Sequence, residues 1–530
     1  MDTVLLQIDA PSASGTAAGG SAPFKGAAPS SEANLAAALI KVALARGDHP
    51  ALITKDGVFS YRDILRAAQG VRRYLCARPD HAAGVRVALQ LQNSPEYLAA
   101  FYGTLLADGV VVPLPVPLES LRRQKIDEVC EPDVVISRRE DMTQDDGAAT
   151  VTLHLAGDEA APGSAPRRAG RDLAMLLFTS GSTGAPKGVM LSHRNLLANA
   201  ASILQVLPIG ADDRALVVLP FCHAFCNSIL QTHMLAGATL LLAGAPMFPA
   251  VIVESLRDLR ATSFSAVPDV FNMLLKFGKL GEKPLPELRY MSVAGGELRS
   301  EATVHLAERI APAPLHLMYG QAEASARLAA LPPGQLHARR GSIGKPIMGV
   351  ELSVRDDANR ELPAGETGML CARGDNIMLG YWQDTAATAE TLTGDGWLRT
   401  GDLAHRDDDG YFYLHGRANL LTKVQGHRVH PAEIENLIEA GFPQTRAVAI
   451  AVARGDDTRF VLFLAPRDEL PVEVERIRAA CQRDLPPYKV PRDFLVLDRL
   501  PLNSALKVDR VALARMAEQT AGVGKNLRHE

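Results

Sequence analysis

Leu176–Leu191, LLFTSGSTGAPKGVML, is the stretch on which the reading of this chain turns. An apolar run from Leu173 to Phe178 reads as a buried strand. It runs into small hydroxyl residues and glycines, Thr179, Ser180, Gly181, Ser182, Thr183 and Gly184, and then Lys187 and Gly188. Glycines let backbone N–H groups approach anionic oxygens, hydroxyls add donors, and the lysine adds a full positive charge. The stretch therefore reads as a phosphate grip. It is not a Walker loop, since Pro186 precedes the lysine and Gly188 follows it, where that motif needs Gly before and Ser or Thr after.

TSGSTGAPKG resembles the signature of the adenylate-forming superfamily, which includes acyl-CoA and aryl-CoA synthetases, adenylation domains of peptide synthetases, and firefly luciferase. Further motifs follow in the family's order, and the resemblance covers roughly residues 50 to 515. In LPFCHAFCNSI (219–229), His223 stands where acid-activating members carry a histidine that gates the acid pocket. Members that activate α-amino acids usually have Asp at the next position, to pair with the ammonium group. Here it is Ala224, and an uncompensated ammonium in an apolar pocket is costly.

MYGQAEASAR (318–327) implies Tyr319 stacking on adenine, with Gly320 beside it, and Glu323 holding Mg²⁺ through a hard carboxylate oxygen. The family usually has Thr before that glutamate; Ala322 removes a hydroxyl donor. Upstream, AGGEL (294–298) resembles the glycine turn whose Gly295 and Gly296 lie against adenine and the acyl group. In GWLRTGDLAHRDDDGYFYLHGR (396–417), the resemblance gives Asp402 the ribose hydroxyls, for which a carboxylate has the lone pairs, and Arg417 a ribose or phosphate contact.

Asn419 takes the family's hinge position, usually Asp, and KVQGHRVHPAEIE (423–435) resembles the loop used in the second half-reaction. LPLNSALKVDRVAL (500–513) resembles the segment whose lysine, Lys507, reaches the carboxylate and α-phosphate during adenylation; Leu506 replaces the usual Gly.

The implied fold is α/β, a large multi-sheet N-terminal domain with a small mobile α+β lid. The expected division is a disordered leader over 1–30, an AMP-binding domain over 31–417, the lid over 418–519 and a disordered tail over 520–530. Alternating periods support this. Helices are expected over 34–45, 61–77 and 94–107 and strands over 85–91 and 110–114, and beyond Gly416 a compact α+β pattern sets in. Residues 140–170, dense in Ala, Gly, Asp and Pro, read as a surface connection.

The implied reaction is ATP-dependent activation of a carboxylic acid to an acyl-adenylate with release of pyrophosphate, then transfer to a thiol. Lys187, Glu323 with Mg²⁺, Lys507 and His223 would carry it. The acceptor is coenzyme A or the phosphopantetheine of a carrier protein acting in trans. The alternatives are a ligase loading only a carrier protein, an amino-acid-activating enzyme, and a non-catalytic homologue; a luciferase-like monooxygenase has no support. His223, Ala224, Phe225, Ser228, Ser292, Ala294, Met318, Ala326 and Arg327 are pocket candidates by position. Most are small or apolar and suggest an uncharged acyl or aryl body, while Arg327 either meets a second polar or anionic group or faces solvent.

Composition sets the outer bounds. A chain of 530 residues with 47% hydrophobic and 22% charged residues is that of a globular protein of more than one domain. A net charge of −4 without a dense Lys/Arg run gives no face for nucleic acid. Six scattered cysteines read as buried thiols in a reducing cytoplasm, and no stretch of 18 apolar residues predicts a membrane span.

Overall fold

The computed structural model describes residues 2–8, 34–116, 118, 120–138, 149–153, 167–180, 186–242, 248–296, 300–420, 422–424, 427–454, 457–467, 470–502 and 508–522. They form two compact units: the first is 1–353, 371–400 and 410–412, the second 354–370, 401–409 and 413–530. The second unit thus takes in segments upstream of Arg417 as well as the expected lid.

In the first unit, periodic apolar segments become helices whose ends are fixed by local chemistry. Asn34 caps Leu35–Arg46, its side chain accepting from Ala36 and Ala37 N–H. Ser60 and Asp63 form a capping box on Tyr61–Cys76, which satisfies N–H groups the first turn leaves without partners. Ser94 caps Pro95–Leu106, with proline at the first helical position. Gly103 lets that helix pack closely on Tyr61–Cys76, since a Cβ there would lie 2.5 Å from the Val71 Cβ.

The strands of the first unit lie in two sheets. One has eight strands, in the order Gly380–Tyr381, Pro186–Ser192, Leu173–Ser180, Val110–Pro113, Arg86–Gln90, Val134–Ser137, Asp2–Ile8 and Ala149–Leu153. Its central strands are parallel and buried on both faces, as in Val110–Pro113. In the other sheet, parallel strands Thr239–Leu242, Arg214–Val217, Ser263–Ala266, Tyr290–Val293 and Leu315–Tyr319 lie side by side, and Ala329–Leu331 turns back antiparallel on the last.

Two expectations are corrected here. Asp2–Ile8 is not leader: it is a strand paired in parallel with Val134–Ser137 on one side and Ala149–Leu153 on the other. The run from 140 to 170 is not only a surface connection, since Ala149–Leu153 belongs to the sheet. Residues 9–33, 139–148 and 154–166 lie outside the described residues.

In the second unit, Thr445–Arg454 and Asp457–Pro466 pair antiparallel, and Asp493–Val496 adds in parallel. Alternate residues point to opposite faces. Ala447, Ala449, Phe460, Leu462 and Leu464 pack with Ile434, Ile438, Ile477 and Cys481; Val448, Ile450, Val461 and Phe463 pack with Leu513 and Ala517. The helix Arg510–Gly522 therefore covers a second apolar face, and residues 520–522 are helical where a disordered tail was expected. Among the described residues no helix is long and apolar enough to cross a membrane. Of the six thiols, five are buried and Cys76 is exposed.

Candidate active site

The phosphate-grip stretch is the two arms of a hairpin. Leu173–Ser180 pairs antiparallel with Pro186–Ser192, bringing Thr179 opposite Lys187 and Phe178 opposite Gly188. Gly181, Ser182, Thr183 and Gly184 lie outside the described residues, as does the side chain of Ser180. Gly380–Tyr381 adds to the outer arm, Tyr381 opposite Val189. A Cβ on Gly188 would press to 3.2 Å from the Trp382 Cβ, and the Trp382 N–H donates to the Gly188 carbonyl at 2.7 Å. This edge pairing places Lys187 Nζ 5.0 Å from the centroid of the Tyr381 ring. The Tyr381 hydroxyl in turn donates to Glu323 Oε1 at 2.9 Å. The lysine and the carboxylate singled out in the sequence are thus bridged by one tyrosine that sequence reasoning missed; its signal is the Gly380-Tyr381-Trp382 triplet.

Glu323 sits in a tight hook after the strand Leu315–Tyr319. Gln321 carbonyl accepts from Ala324 and Ala326 N–H at 3.1 and 3.2 Å, and Leu328 N–H closes the hook on the Tyr319 carbonyl at 2.8 Å. Gly320 is obligatory here: a Cβ would fall 2.0 Å from the Ala326 carbonyl oxygen. Ser325 and Ala326 adopt φ of 58° and 124°, backbone that side-chain-bearing residues rarely take. Such strain persists only where surroundings fix it. Asn376 does so, donating to the Ala324 and Arg327 carbonyls at 3.1 Å each while its own carbonyl accepts from Ser325 Oγ at 2.8 Å. Asn199 holds Arg327 by both backbone groups, at 2.8 and 3.2 Å. Neither asparagine was among the sequence candidates.

Of the pocket candidates, Ser292, Ala294, Met318, Ala326, Ser228 and Arg327 are buried. Ser292 Oγ shares a hydrogen bond of 2.7 Å with Ser265 Oγ on the neighbouring strand. His223 is the N-cap of Ala224–Ala236 and makes no side-chain capping bond. In the first turn, Ser228 Oγ donates to the Phe225 carbonyl at 2.6 Å, and the Arg327 guanidinium lies 4.1 Å from the Phe225 ring centroid. Arg327 therefore does not face solvent. Gly295, with φ of 87°, and Gly296 follow the strand Tyr290–Val293.

In the second unit, Arg417 Nε donates to Asp402 Oδ1 at 2.8 Å, with the carboxylate buried and the arginine half exposed. The Arg417 carbonyl accepts from His430 Nε2 at 2.8 Å, while His430 Nδ1 caps Pro431–Gly441 through Ala432 N–H at 3.1 Å. Gly416 permits this, since a Cβ would lie 2.2 Å from His430 Cε1. Asn419 lies in the short 3₁₀ turn Ala418–Leu420. Lys507 lies outside the described residues.

Comparison with known proteins gives this geometry a family. Residues 40–382 match the family model "AMP-binding enzyme". The chain is 28% identical over 515 residues to the long-chain-fatty-acid–CoA ligase of Salmonella typhimurium, covering 87% of this chain and 91% of that protein. It is 34% identical over 355 residues to the sulfoacetate–CoA ligase of Cupriavidus necator, covering 65% and 67%. The ATP-bound crystal structure of MatB from Rhodopseudomonas palustris superposes with a TM-score of 0.81 at 26% identity, over 92% of this chain and 99% of that one. On this fold, these motifs and this match, the chain belongs to the AMP-binding enzyme family, part of the adenylate-forming superfamily its motifs resemble.

Proposed function

We propose that this chain is an AMP-forming acid–CoA ligase. A carboxylate oxygen attacks the α-phosphorus of ATP, expelling pyrophosphate, and the thiol of coenzyme A then attacks the acyl carbon of the adenylate, expelling AMP. The observation that carries the reading is the Lys187–Tyr381–Glu323 arrangement beside the phosphate-grip hairpin. Two anions must meet in the first step, so the protein's task is to supply positive charge and orientation rather than acid or base.

In this reading Lys187 and the 179–184 stretch hold the leaving phosphates, and Lys507 offsets charge developing at the reacting centre. Asp402 and Arg417 hold the ribose, with the Arg417 contact orienting the Asp402 carboxylate. Glu323 fits Mg²⁺: one carboxylate oxygen is fixed by Tyr381, and no cluster of three acidic, His or Cys ligands exists among the described residues. A single carboxylate suits a cation that keeps most of its waters and shares the substrate's phosphates. When bound, Mg²⁺ would neutralise phosphate charge.

The relatives named above act on acids as different as long-chain fatty acids and sulfoacetate, so likeness alone does not name this chain's acid. The test is carboxylate-dependent pyrophosphate release from Mg-ATP over aliphatic, aromatic and amino acids, followed by coenzyme A or a phosphopantetheinylated carrier protein as acceptor. Release with one acid class and thioester formation on coenzyme A is expected. ATP binding with no release on any acid would point instead to a non-catalytic homologue, in which the Ala322 and Leu506 departures would find their place.

A further inference from the structure

Arg327 is a cation in the wrong solvent. It is 2% exposed, its Nε has no hydrogen-bond partner, and no carboxylate among the described residues pairs with it. Burial pushes its pKa down to about 9, opposed only by the nearby Cys226, so it stays charged at neutral pH. A charge removed from water without a counter-charge is strongly disfavoured. The face of Phe225 offsets part of that cost through its quadrupole. The backbone cannot swing the side chain out to solvent, because Asn199 and Asn376 clamp Arg327 and a left-handed turn precedes it.

A second positive source meets the guanidinium. Phe225 is in the first turn of Ala224–Ala236, a helix of 13 residues whose N-cap, His223, makes no side-chain capping bond to the helix. A helix start carries partial positive charge and N–H groups aimed outward. Guanidinium and helix start converge among the very residues placed in the acid pocket: Ala224, Phe225, Ser228 and Ala326. The complement to such a site is an oxyanion.

We infer that the acid activated by this chain carries, besides its reacting carboxylate, a second anionic group, a carboxylate, sulfonate or phosphonate, that seats against Arg327 and the first turn of Ala224–Ala236. The inference rests on the acid–CoA ligase reading and replaces the uncharged acyl body that the small pocket residues suggested. Arg327 is not suited to the reacting carboxylate itself, since a guanidinium fork on both oxygens would hold down the nucleophile's lone pairs.

The experiment uses the full chain and length-matched pairs of acids: succinate against butyrate, glutarate against pentanoate, terephthalate against p-toluate, with 3-sulfopropionate and 3-phosphonopropionate to separate the anion types. Pyrophosphate release is expected to favour the anion-bearing member by about 10² or more in kcat/KM, as when a site built for a polar group meets an analogue lacking it. Arg327→Met should abolish that preference, chiefly by raising the KM of the anion-bearing member; Arg327→Lys should restore part of it. A wild-type preference for the uncharged members would overturn the inference, as would an equal loss on both members in Arg327→Met, and either leaves the ligase reading intact. Release with no acid of either set would overturn the ligase reading and the inference with it. Should Arg327→Met fail to fold, the wild-type comparison decides by itself.

Discussion

Lys187 Nζ stands 5.0 Å from the centroid of the Tyr381 ring, and the hydroxyl of that same ring donates to Glu323. One side chain thus orients a cation through its face and an anion through its edge. Tyr381→Phe keeps the face and deletes the donor. Hydrogen bonds to charged groups are worth about 1.5–3 kcal/mol, so pyrophosphate release should fall roughly 10- to 100-fold. In the proposed reading Tyr381 acts through Glu323, so half-saturation by Mg²⁺ should rise in Tyr381→Phe with little change in Tm, and Tyr381→Leu should lose more. An unchanged Mg²⁺ dependence would reduce Tyr381 to a packing residue.

Lys507 is assigned by its place in LPLNSALKVDRVAL, before Asp509-Arg510. Arg510 anchors the downstream helix, its Nη2 donating to both Glu435 carboxylate oxygens at 2.6 and 2.8 Å. Lys507→Ala should lower adenylation by roughly 10² or more, as for loss of other charge-stabilising donors. Thioester formation from supplied acyl-adenylate should survive, because the thiol attacks the acyl carbon there and no bond to phosphorus is made. Measuring the half-reactions separately decides it: equal loss in both would remove the adenylation-specific role.

Asp213 ties three neighbours together from a fully buried position. It accepts from Arg289 Nη1 at 2.7 and 2.6 Å, from Thr262 Oγ1 at 2.6 Å and from Gly210 N–H at 2.6 Å. Asp213→Ala leaves those donors without their acceptor and should destabilise the first unit by about 3 kcal/mol. Denaturant midpoints of wild type and variant, read on the first unit's transition, measure this; a difference below about 1 kcal/mol would mean that water replaces the carboxylate.

How far the sequence reached can be judged at particular residues. The helices after Asn34, Ser60 and Ser94 were legible because capping side chains and apolar period coincide at their starts. The helix Arg510–Gly522 was not: its apolar stripe is thin, and the need for it arises only once Val448, Ile450, Val461 and Phe463 turn one face of their sheet toward it. Glu323 and Lys187 announced themselves within motifs. Tyr381 lies 58 residues from Glu323 and only strand pairing brings them together. Arg327 was visible, but its burial was not, because a charged residue two positions before a strand ordinarily reads as solvated.

The buried histidines give the first unit an acid limit. His193 receives the Leu35 N–H on Nδ1 at 3.3 Å, and the Asn34 amide nitrogen faces Nε2 at 3.4 Å, so a second ring proton would point at a donor. Burial first, and the nearby Arg168 second, push its pKa down to about 4 from 6.5. Burial likewise holds His49 and His316 down at about 4 and lowers His233. Between pH 6.5 and 4 the unfolded chain binds protons that the folded one refuses, so stability is complete above pH 6.5 and is lost as pH falls. For His193 alone, a shift of this size corresponds to about 3 kcal/mol by pH 4. Denaturant midpoints of the first unit should therefore fall steeply from pH 6.5 to 4.5 and stay level from 7 to 8. His193→Gln, though less stable at pH 7.5, should show a shallower fall across that window; a slope equal to wild type would mean that His193 titrates alike in both states.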